Sequence, residues 1–231
     1  MVVDDEVLAR RELRRLLAEF AWLEIVGEAA NINEAVPGVE ALSPDLLFLD
    51  IKMPGGSGFD LLARLECVPL VIFTTAYDQH AVRAFEVNAL DYLLKPVEPE
   101  RLAAALLKVR TVSARATQSR DVLEQVFVQD GPRCWFVPLR EVRLLSAESN
   151  YVRLWWGKMH PLIARPLSTI EQRLDPKRFF RANRSQIINL EFIERVELGI
   201  NGRLHVTLRG EGPEVEISRR QARLFRGQLS I

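Results

Sequence analysis

Two uninterrupted apolar runs constrain this chain most. Leu46-Leu47-Phe48-Leu49 stops at Asp50, and Leu70-Val71-Ile72-Phe73 stops at Thr74-Thr75. Short runs without polar alternation are covered on both faces, as strands are inside a parallel sheet. Pro54-Gly55-Gly56 breaks the chain soon after the first run, so Asp50 is expected at the C-terminal end of its strand. Ligands of open α/β sheets gather at that edge. A carboxylate buried there is costly unless an opposite charge meets it.

The surrounding sequence alternates between strand and helix signals. Met1-Val2-Val3 reads as a strand stub; only three residues precede Asp4, so this strand is expected to be short. Leu13, Leu16, Leu17 and Phe20 recur at helical spacing. Residues 23–29 read as a second strand, and Asn33 is the expected N-cap of a helix through Ala41. Ser57-Gly58 leads into a helix over 59–65. Further helices are expected over 79–86 and from Pro99, the last with Leu102, Leu106 and Val109 on one face. Between them, 91–95 reads as a strand stopped by Pro96. Five strands alternating with five helices predict a parallel sheet with helices on both faces.

The zero net charge conceals an asymmetry. Residues 1–110 hold 11 Lys and Arg against 18 Asp and Glu, whereas residues 125–231 hold 18 against 11. An acidic half joined to a basic half predicts two domains with different partners, the basic one suited to nucleic acid. Residues 111–124 are polar and read as a linker or a helical extension. Beyond Gln125 the periodicity shifts towards two, in Trp135-Phe136-Val137, Val142–Leu144, Tyr151–Trp155 and Leu204–Leu208. Turn signals recur at Asp130-Gly131, Gly157-Lys158, Asn201-Gly202 and Gly210–Pro213. This pattern predicts an antiparallel β domain with helices only at 167–174 and in the tail from about 220. No apolar run approaches the roughly 18 residues of a membrane span. Acidic residues within the first six positions argue against a signal peptide. The two cysteines, Cys67 and Cys134, lack metal-ligand spacing and read as free thiols of a cytoplasmic protein.

In a parallel sheet the strand C-termini share one edge, so Asp4-Asp5, Asp50, Thr75 and Lys95 can converge. Adjacent carboxylates repel unless a cation intervenes. A hard divalent ion such as Mg²⁺ suits an all-oxygen set. Asp50 can then act as a nucleophile towards phosphorus, giving an acyl phosphate, with Lys95 offsetting phosphoryl charge and the Thr75 hydroxyl bonding a phosphate oxygen. The alternative is that Asp50 caps the following turn and Lys95 is an ordinary surface lysine.

Val3-Asp4-Asp5-Glu6, Leu49-Asp50-Ile51-Lys52-Met53-Pro54, Thr74-Thr75-Ala76-Tyr77 and Asp91-Tyr92-Leu93-Leu94-Lys95-Pro96 resemble the receiver domain of two-component response regulators, across about residues 1–110. The resemblance implies a flavodoxin-like fold with sheet order 2-1-3-4-5 and Asp50 as the phosphoacceptor. It implies Mg²⁺ held by Asp4, Asp5, Asp50 and the backbone carbonyl of Lys52, with Asp5 the more direct ligand of the acidic pair. Thr75 and Tyr92 match the switch pair, Lys95 the phosphate-contacting lysine, and the Lys95–Pro96 bond is expected cis.

The basic half carries Arg178, Arg181, Arg184, Arg219, Arg220, Arg223 and Arg226, interleaved with Phe179, Phe180 and Phe225. Arginine suits phosphate and guanine contacts. The stretch from Arg178 reads as a turn or helix end leading into a strand at Gln186–Asn189, and Ser218 as an N-cap. Trp155 and Trp156 read as packing residues. Val137-Pro138-Leu139, Glu148–Val152, Leu167–Leu174, Phe180–Ser185 and Ile217–Arg220 resemble the LytTR DNA-binding domain, across about residues 125–231. That domain is an elongated antiparallel β fold that reads the major groove of double-stranded DNA through loops. By position those loops hold Asn150 and Tyr151; Asn183, Arg184 and Ser185; and Arg219 and Arg220. Asn183 stands where the family segment commonly has histidine. No helix-turn-helix pair is evident.

Together the resemblances imply a cytoplasmic transcription factor of the LytR/AlgR type rather than an enzyme. A sensor histidine kinase would phosphorylate Asp50, and the protein would pair as a homodimer on promoter direct repeats. Two other readings remain open from the residues. A phosphatase could use the same carboxylates, although Lys52 stands where a second acid/base Asp is needed. The β half could instead bind protein or RNA.

Overall fold

The computed structural model describes residues 1–76, 89–116, 122–130, 133–199 and 203–229. The chain divides into two compact units, Met1–Arg120 with Gly131–Phe136, and Asp121–Asp130 with Val137–Ile231.

In the first unit, strands β1 (Val2–Val3), β2 (Glu28–Ala29), β3 (Leu46–Asp50), β4 (Leu70–Thr75) and β5 (Asp91–Leu94) form one sheet in the order β2-β1-β3-β4-β5. All four pairings are parallel. Helices α1 (Val7–Leu17), α2 (Ile32–Leu42), α3 (Gly58–Arg64) and α4 (Pro99–Ala116) accompany the strands. Leu13, Leu16 and Leu17 of α1 and Leu102, Leu106 and Val109 of α4 pack with Val2, Phe48, Ile72 and Leu93 in one apolar cluster. The alternate strand residues Leu47, Leu49, Val71 and Phe73 are also buried, and the Phe59 ring of α3 lies 5.0 Å from that of Phe73. Both faces of the sheet are therefore covered, which explains the unbroken apolar runs. The expected helix over 79–86 and Tyr77 lie outside the described residues.

Two local expectations are corrected. The second strand is two residues long rather than seven. Its ladder partners among the described residues are Val2 and Val3, so a short β1 limits it, while Leu23 and Ile25 pack against the core instead. Asn31, not Asn33, caps α2: its side chain accepts from the Glu34 amide at 3.0 Å, and Glu34 answers by accepting from the Ala30 amide at 2.9 Å. That reciprocal pairing satisfies two donors at once, an arrangement open to Asn31 because Glu34 stands three residues on. The Pro54-Gly55 break forms the turn of a small antiparallel hairpin, Lys52–Met53 with Gly56–Ser57, and Gly55 sits at a φ of 84°. Helix α3 starts with a capping box between Ser57 and Asp60. Helix α4 runs on to Ala116.

The second half of the chain is antiparallel. One sheet orders its strands as Leu162–Ile163, Tyr151–Trp156, Val142–Glu148, Gln186–Asn189 and Phe179–Arg181. A second sheet joins Ile193–Leu198, Leu204–Leu208 and Val215–Ile217. Helix α6 (Arg219–Leu229) buries Ala222 and Phe225 against Phe180, Val206, Val215 and Ile217, with the Phe180 and Phe225 rings 5.1 Å apart. These phenylalanines between the arginines are thus core residues. The helix α5 (Leu167–Glu171) is shorter than expected, and Phe179–Arg181 is a strand rather than a turn or helix end. Hydrogen bonding to the flanking Gln186–Asn189 strand makes it so. Trp155 and Trp156 donate to Ser146 Oγ and Glu141 within the fold. Gly157-Lys158 forms a tight turn, with Trp156 and Met159 exchanging backbone bonds of 3.0 and 2.8 Å. Gly131, Asn201 and Gly202 lie outside the described residues. Cys67 and Cys134 are free thiols.

Candidate functional site

Sheet register assembles the first site. Val3 pairs with Leu49, so Asp4 comes level with Asp50 where the strand order reverses between β1 and β3. Asp50 pairs with Thr74, and Thr75 with Leu94, which places Thr75 and Lys95 on the same edge. Carboxylate oxygens of Asp4, Asp5 and Asp50 lie within 4.8 Å of one another. Asp4 and Asp50 are buried at 3% and 5% exposure. The Lys95 ammonium donates to Asp50 Oδ2 at 2.7 Å and lies 2.9 Å from Asp4 Oδ2 and 3.0 Å from Glu6. Asp50 Oδ1 accepts from the Lys52 amide at 3.2 Å. Thr75 is buried, and its carbonyl accepts from the Lys95 amide at 2.8 Å. The Tyr92 ring stacks on Phe73 at 5.4 Å. The Lys95–Pro96 bond is cis.

Burial opposes charge here, and pairing decides the outcome for each group. Burial pushes the Asp4 carboxyl above its ordinary range, with the Lys95 ammonium and the Glu6 amide pulling partly back. Burial alone would lower the Lys95 ammonium, but its bonds to Asp50, Asp4 and Glu6 outweigh that and raise it. Lys95 is therefore a fixed cation among carboxylates. An all-carboxylate donor set of this spacing also fits a hard divalent ion.

Three residues complete the site that the sequence reading did not single out for it. Glu6 is the third carboxylate on Lys95. Arg10, one turn into α1, donates to the Asp4 carbonyl at 2.7 Å and reaches the Asp5 carbonyl at 3.3 Å, so it holds the backbone of the acidic pair. Gly58 donates to the Ile51 carbonyl at 2.8 Å, and a Cβ there would lie 2.5 Å from the Asp50 carbonyl oxygen. The Glu6 contact was the most readable of these, because it adjoins Asp4-Asp5; the others follow from packing across the chain.

In the second half, backbone bonds join the three expected loops. The Ala147 amide donates to the Ser185 carbonyl at 2.7 Å, and the Ser218 amide to the Ala182 carbonyl at 3.0 Å. Asn150 and Tyr151 are exposed at the tip of the hairpin following Glu148, where Ser149 takes a left-handed φ of 53°. Arg184, Ser185, Arg219 and Arg220 are exposed, and Asn183 is half-buried. The arginines divide by engagement. Arg181 donates to the Asn183 carbonyl at 2.6 Å, to the Arg184 carbonyl, and to Glu171 at 2.7 Å. Arg178 pairs with Glu191 at 3.1 Å. The Arg184 and Arg220 guanidiniums enter no ion pair among the described residues. Ser218 Oγ accepts from the Gln221 amide at 3.4 Å, a long cap for helix α6.

A parallel α/β unit with a carboxylate cluster at its switch point precedes an antiparallel β unit that gathers basic loops. Comparison with known proteins gives the class directly. The response regulator receiver domain family matches residues 1–107, and the LytTr DNA-binding domain family matches residues 133–230. An uncharacterized response regulatory protein of Vibrio cholerae is 36% identical, covering 100% of this chain and 98% of that protein. The sensory transduction protein LytT of Enterococcus faecalis is 34% identical with the same coverage. The transcriptional regulatory protein BtsR of Escherichia coli is 33% identical, again over 100% and 98%. The chain belongs to the response regulators that join a receiver domain to a LytTR DNA-binding domain. This family consists of transcriptional regulators, not enzymes, and the phosphatase reading is set aside. Among the described residues, no helix is long and apolar enough to cross a membrane.

Proposed function

We propose that this response regulator is switched by phosphorylation of Asp50. A sensor histidine kinase donates the phosphoryl group: a carboxylate oxygen of Asp50 bonds to phosphorus, the donor's bond to phosphorus breaks, and the leaving group departs with that electron pair. The observation that carries this reading is the Lys95 ammonium 2.7 Å from Asp50, poised to meet the charge that arrives. Asp4, Asp5, Asp50 and the Lys52 carbonyl would hold Mg²⁺, and their oxygen donors fit it. Bound there, the ion would neutralise phosphoryl oxygens during transfer. Thr75 then bonds a phosphate oxygen, and Tyr92, next along β5 after Asp91, relays the change.

The receiver occupies residues 1–110, a linker 111–124 and the output domain 125–231, with α4 extending into the linker. In the cytoplasm, phosphorylation favours a homodimer, and pairing raises affinity for double-stranded DNA carrying direct repeats through effective concentration. Asn150, Tyr151, Asn183, Arg184, Ser185, Arg219 and Arg220 make up the DNA-facing surface, because their segments are hydrogen-bonded together. The test compares the full chain with Asp50→Asn, each treated with acetyl phosphate and Mg²⁺. Sedimentation and duplex binding should respond in the first and not in the second; an equal response in both refutes the mechanism.

A further inference from the structure

Among the residues expected to face DNA, Asn183 differs in how completely it is engaged. Its Nδ2 donates to Gln186 Oε1 at 2.7 Å and to the Glu216 carbonyl at 2.8 Å. Its Oδ1 accepts from the Ser185 amide at 2.9 Å and from the Ser185 hydroxyl at 3.1 Å. A backbone carbonyl can only accept and a backbone amide can only donate, so the two backbone partners fix which end of the amide is which. The side chain has two donor hydrogens and two acceptor lone pairs, and all four are used inside the protein.

The partners come from two segments far apart along the chain. Ser185 and Gln186 belong to the loop that presents Arg184, and Glu216 lies 33 residues after Asn183, just before Arg219-Arg220. The same loop is held from below by Arg181, through the carbonyls of Asn183 and Arg184. Arg184 thus has its backbone fastened while its guanidinium remains exposed. A base edge approaching Asn183 would have to displace a bond already made in a half-buried setting, whereas Arg184 loses nothing of that kind.

We infer that Asn183 is a positioning residue: it locks the Ala182–Gln186 loop to the Glu216–Ser218 segment so that Arg184 reads the base edge, and it makes no base contact of its own. The inference rests on the DNA-binding reading above. Arginine in such a place prefers the two acceptors of guanine.

The experiment first selects duplexes from a random-sequence pool with the phosphorylated full chain. If no sequence is enriched, the DNA-binding reading itself fails and this inference with it. With a selected duplex in hand, binding is measured by fluorescence anisotropy for the wild type, Asn183→Asp, Arg184→Ala and the double variant, against all single base-pair changes. Asn183→Asp keeps the acceptor for Ser185 but turns an oxygen towards the Glu216 carbonyl. It should weaken binding at least about tenfold and relax preference at the same base pairs as Arg184→Ala. On the Arg184→Ala background its cost should shrink below about threefold, since the two act as a unit. Gln186→Met, which removes one partner while keeping size, should give the same base-pair signature more weakly and serves if Asn183→Asp melts early. Relaxation at a base pair that Arg184→Ala leaves unchanged, or an undiminished cost in the double variant, overturns the inference.

Discussion

Gly58 and Asp50 touch through their backbones: a Cβ on Gly58 would stand 2.5 Å from the Asp50 carbonyl oxygen and 2.9 Å from Leu49 Cγ. Neither neighbour is the free end of a flexible chain. Gly58 is the first residue of α3, where helix propensity alone would favour alanine by about 0.5–1 kcal/mol. Overpacking should win here. Gly58→Ala is expected to lose about 1–3 kcal/mol in denaturant unfolding and to slow acetyl phosphate labelling of Asp50. A stabilised variant would show that the contact relaxes freely.

Lys95 is the cation among Asp4, Glu6 and Asp50, with its side chain 13% exposed and those of Asp4 and Asp50 4% and 7%. Removing one partner of a buried ionic group leaves charge uncompensated. Lys95→Ala should therefore cost about 3 kcal/mol in metal-free buffer. Millimolar Mg²⁺ should recover much of that loss, because the ion takes over neutralisation of the same oxygens. Thermal midpoints with and without Mg²⁺ check this; equal losses in both buffers would count against a shared site.

Asp91 opens β5 and is only 8% exposed. Burial pushes its acidity down, but bonds from Lys108 and the Tyr92 amide and the charge of Arg101 outweigh burial, so its pKa lies below the ordinary value. The unfolded state therefore binds more protons as pH falls, and stability present above about pH 4 is lost below it. Asp91→Asn should destabilise the chain at pH 7 and flatten its acid unfolding curve. Urea midpoints between pH 3 and 7 measure the effect. Tyr92 should respond with it, since Arg101 also bonds the Tyr92 carbonyl at 3.0 Å.

DNA affinity should fall steeply and linearly on a log–log plot against salt, as phosphate neutralisation requires. If Arg220 contacts a phosphate, Arg220→Ala reduces that slope by about one and weakens all sequences alike. If it reads a base, the slope hardly changes and preference relaxes at one position instead. Titrations at several salt concentrations on selected and scrambled duplexes separate the two.

Much of the first site was legible because it follows from period and order. Continuous apolar runs at Leu46–Leu49 and Leu70–Phe73 can be buried on both faces only in a covered parallel sheet, and such a sheet aligns every strand end. Asp4, Asp50, Thr75 and Lys95 therefore converge whatever the loops do. The β half was legible in kind but less in detail. Phe179–Arg181 has no strand pattern long enough to stand out and becomes a strand by pairing with Gln186–Asn189. The short β2 likewise depends on how many ladder positions β1 offers.

The amino-acid sequence by itself determined the two folds, the edge on which the carboxylates meet and the segments that carry basic side chains, since these depend on local pattern and on the handedness and direction of strands. Only the tertiary structure decided which of those side chains are already engaged. Arg181 bonds the loop carbonyls and Glu171, and Asn183 bonds across to Glu216, while Arg184 beside them stays exposed. Gly58 is held to glycine by the Asp50 carbonyl, and Arg10 fastens the backbone of Asp4. Hydrogen-bond capacity is finite and its partners are chosen in space, so residues alike in sequence part company only once the chain has folded.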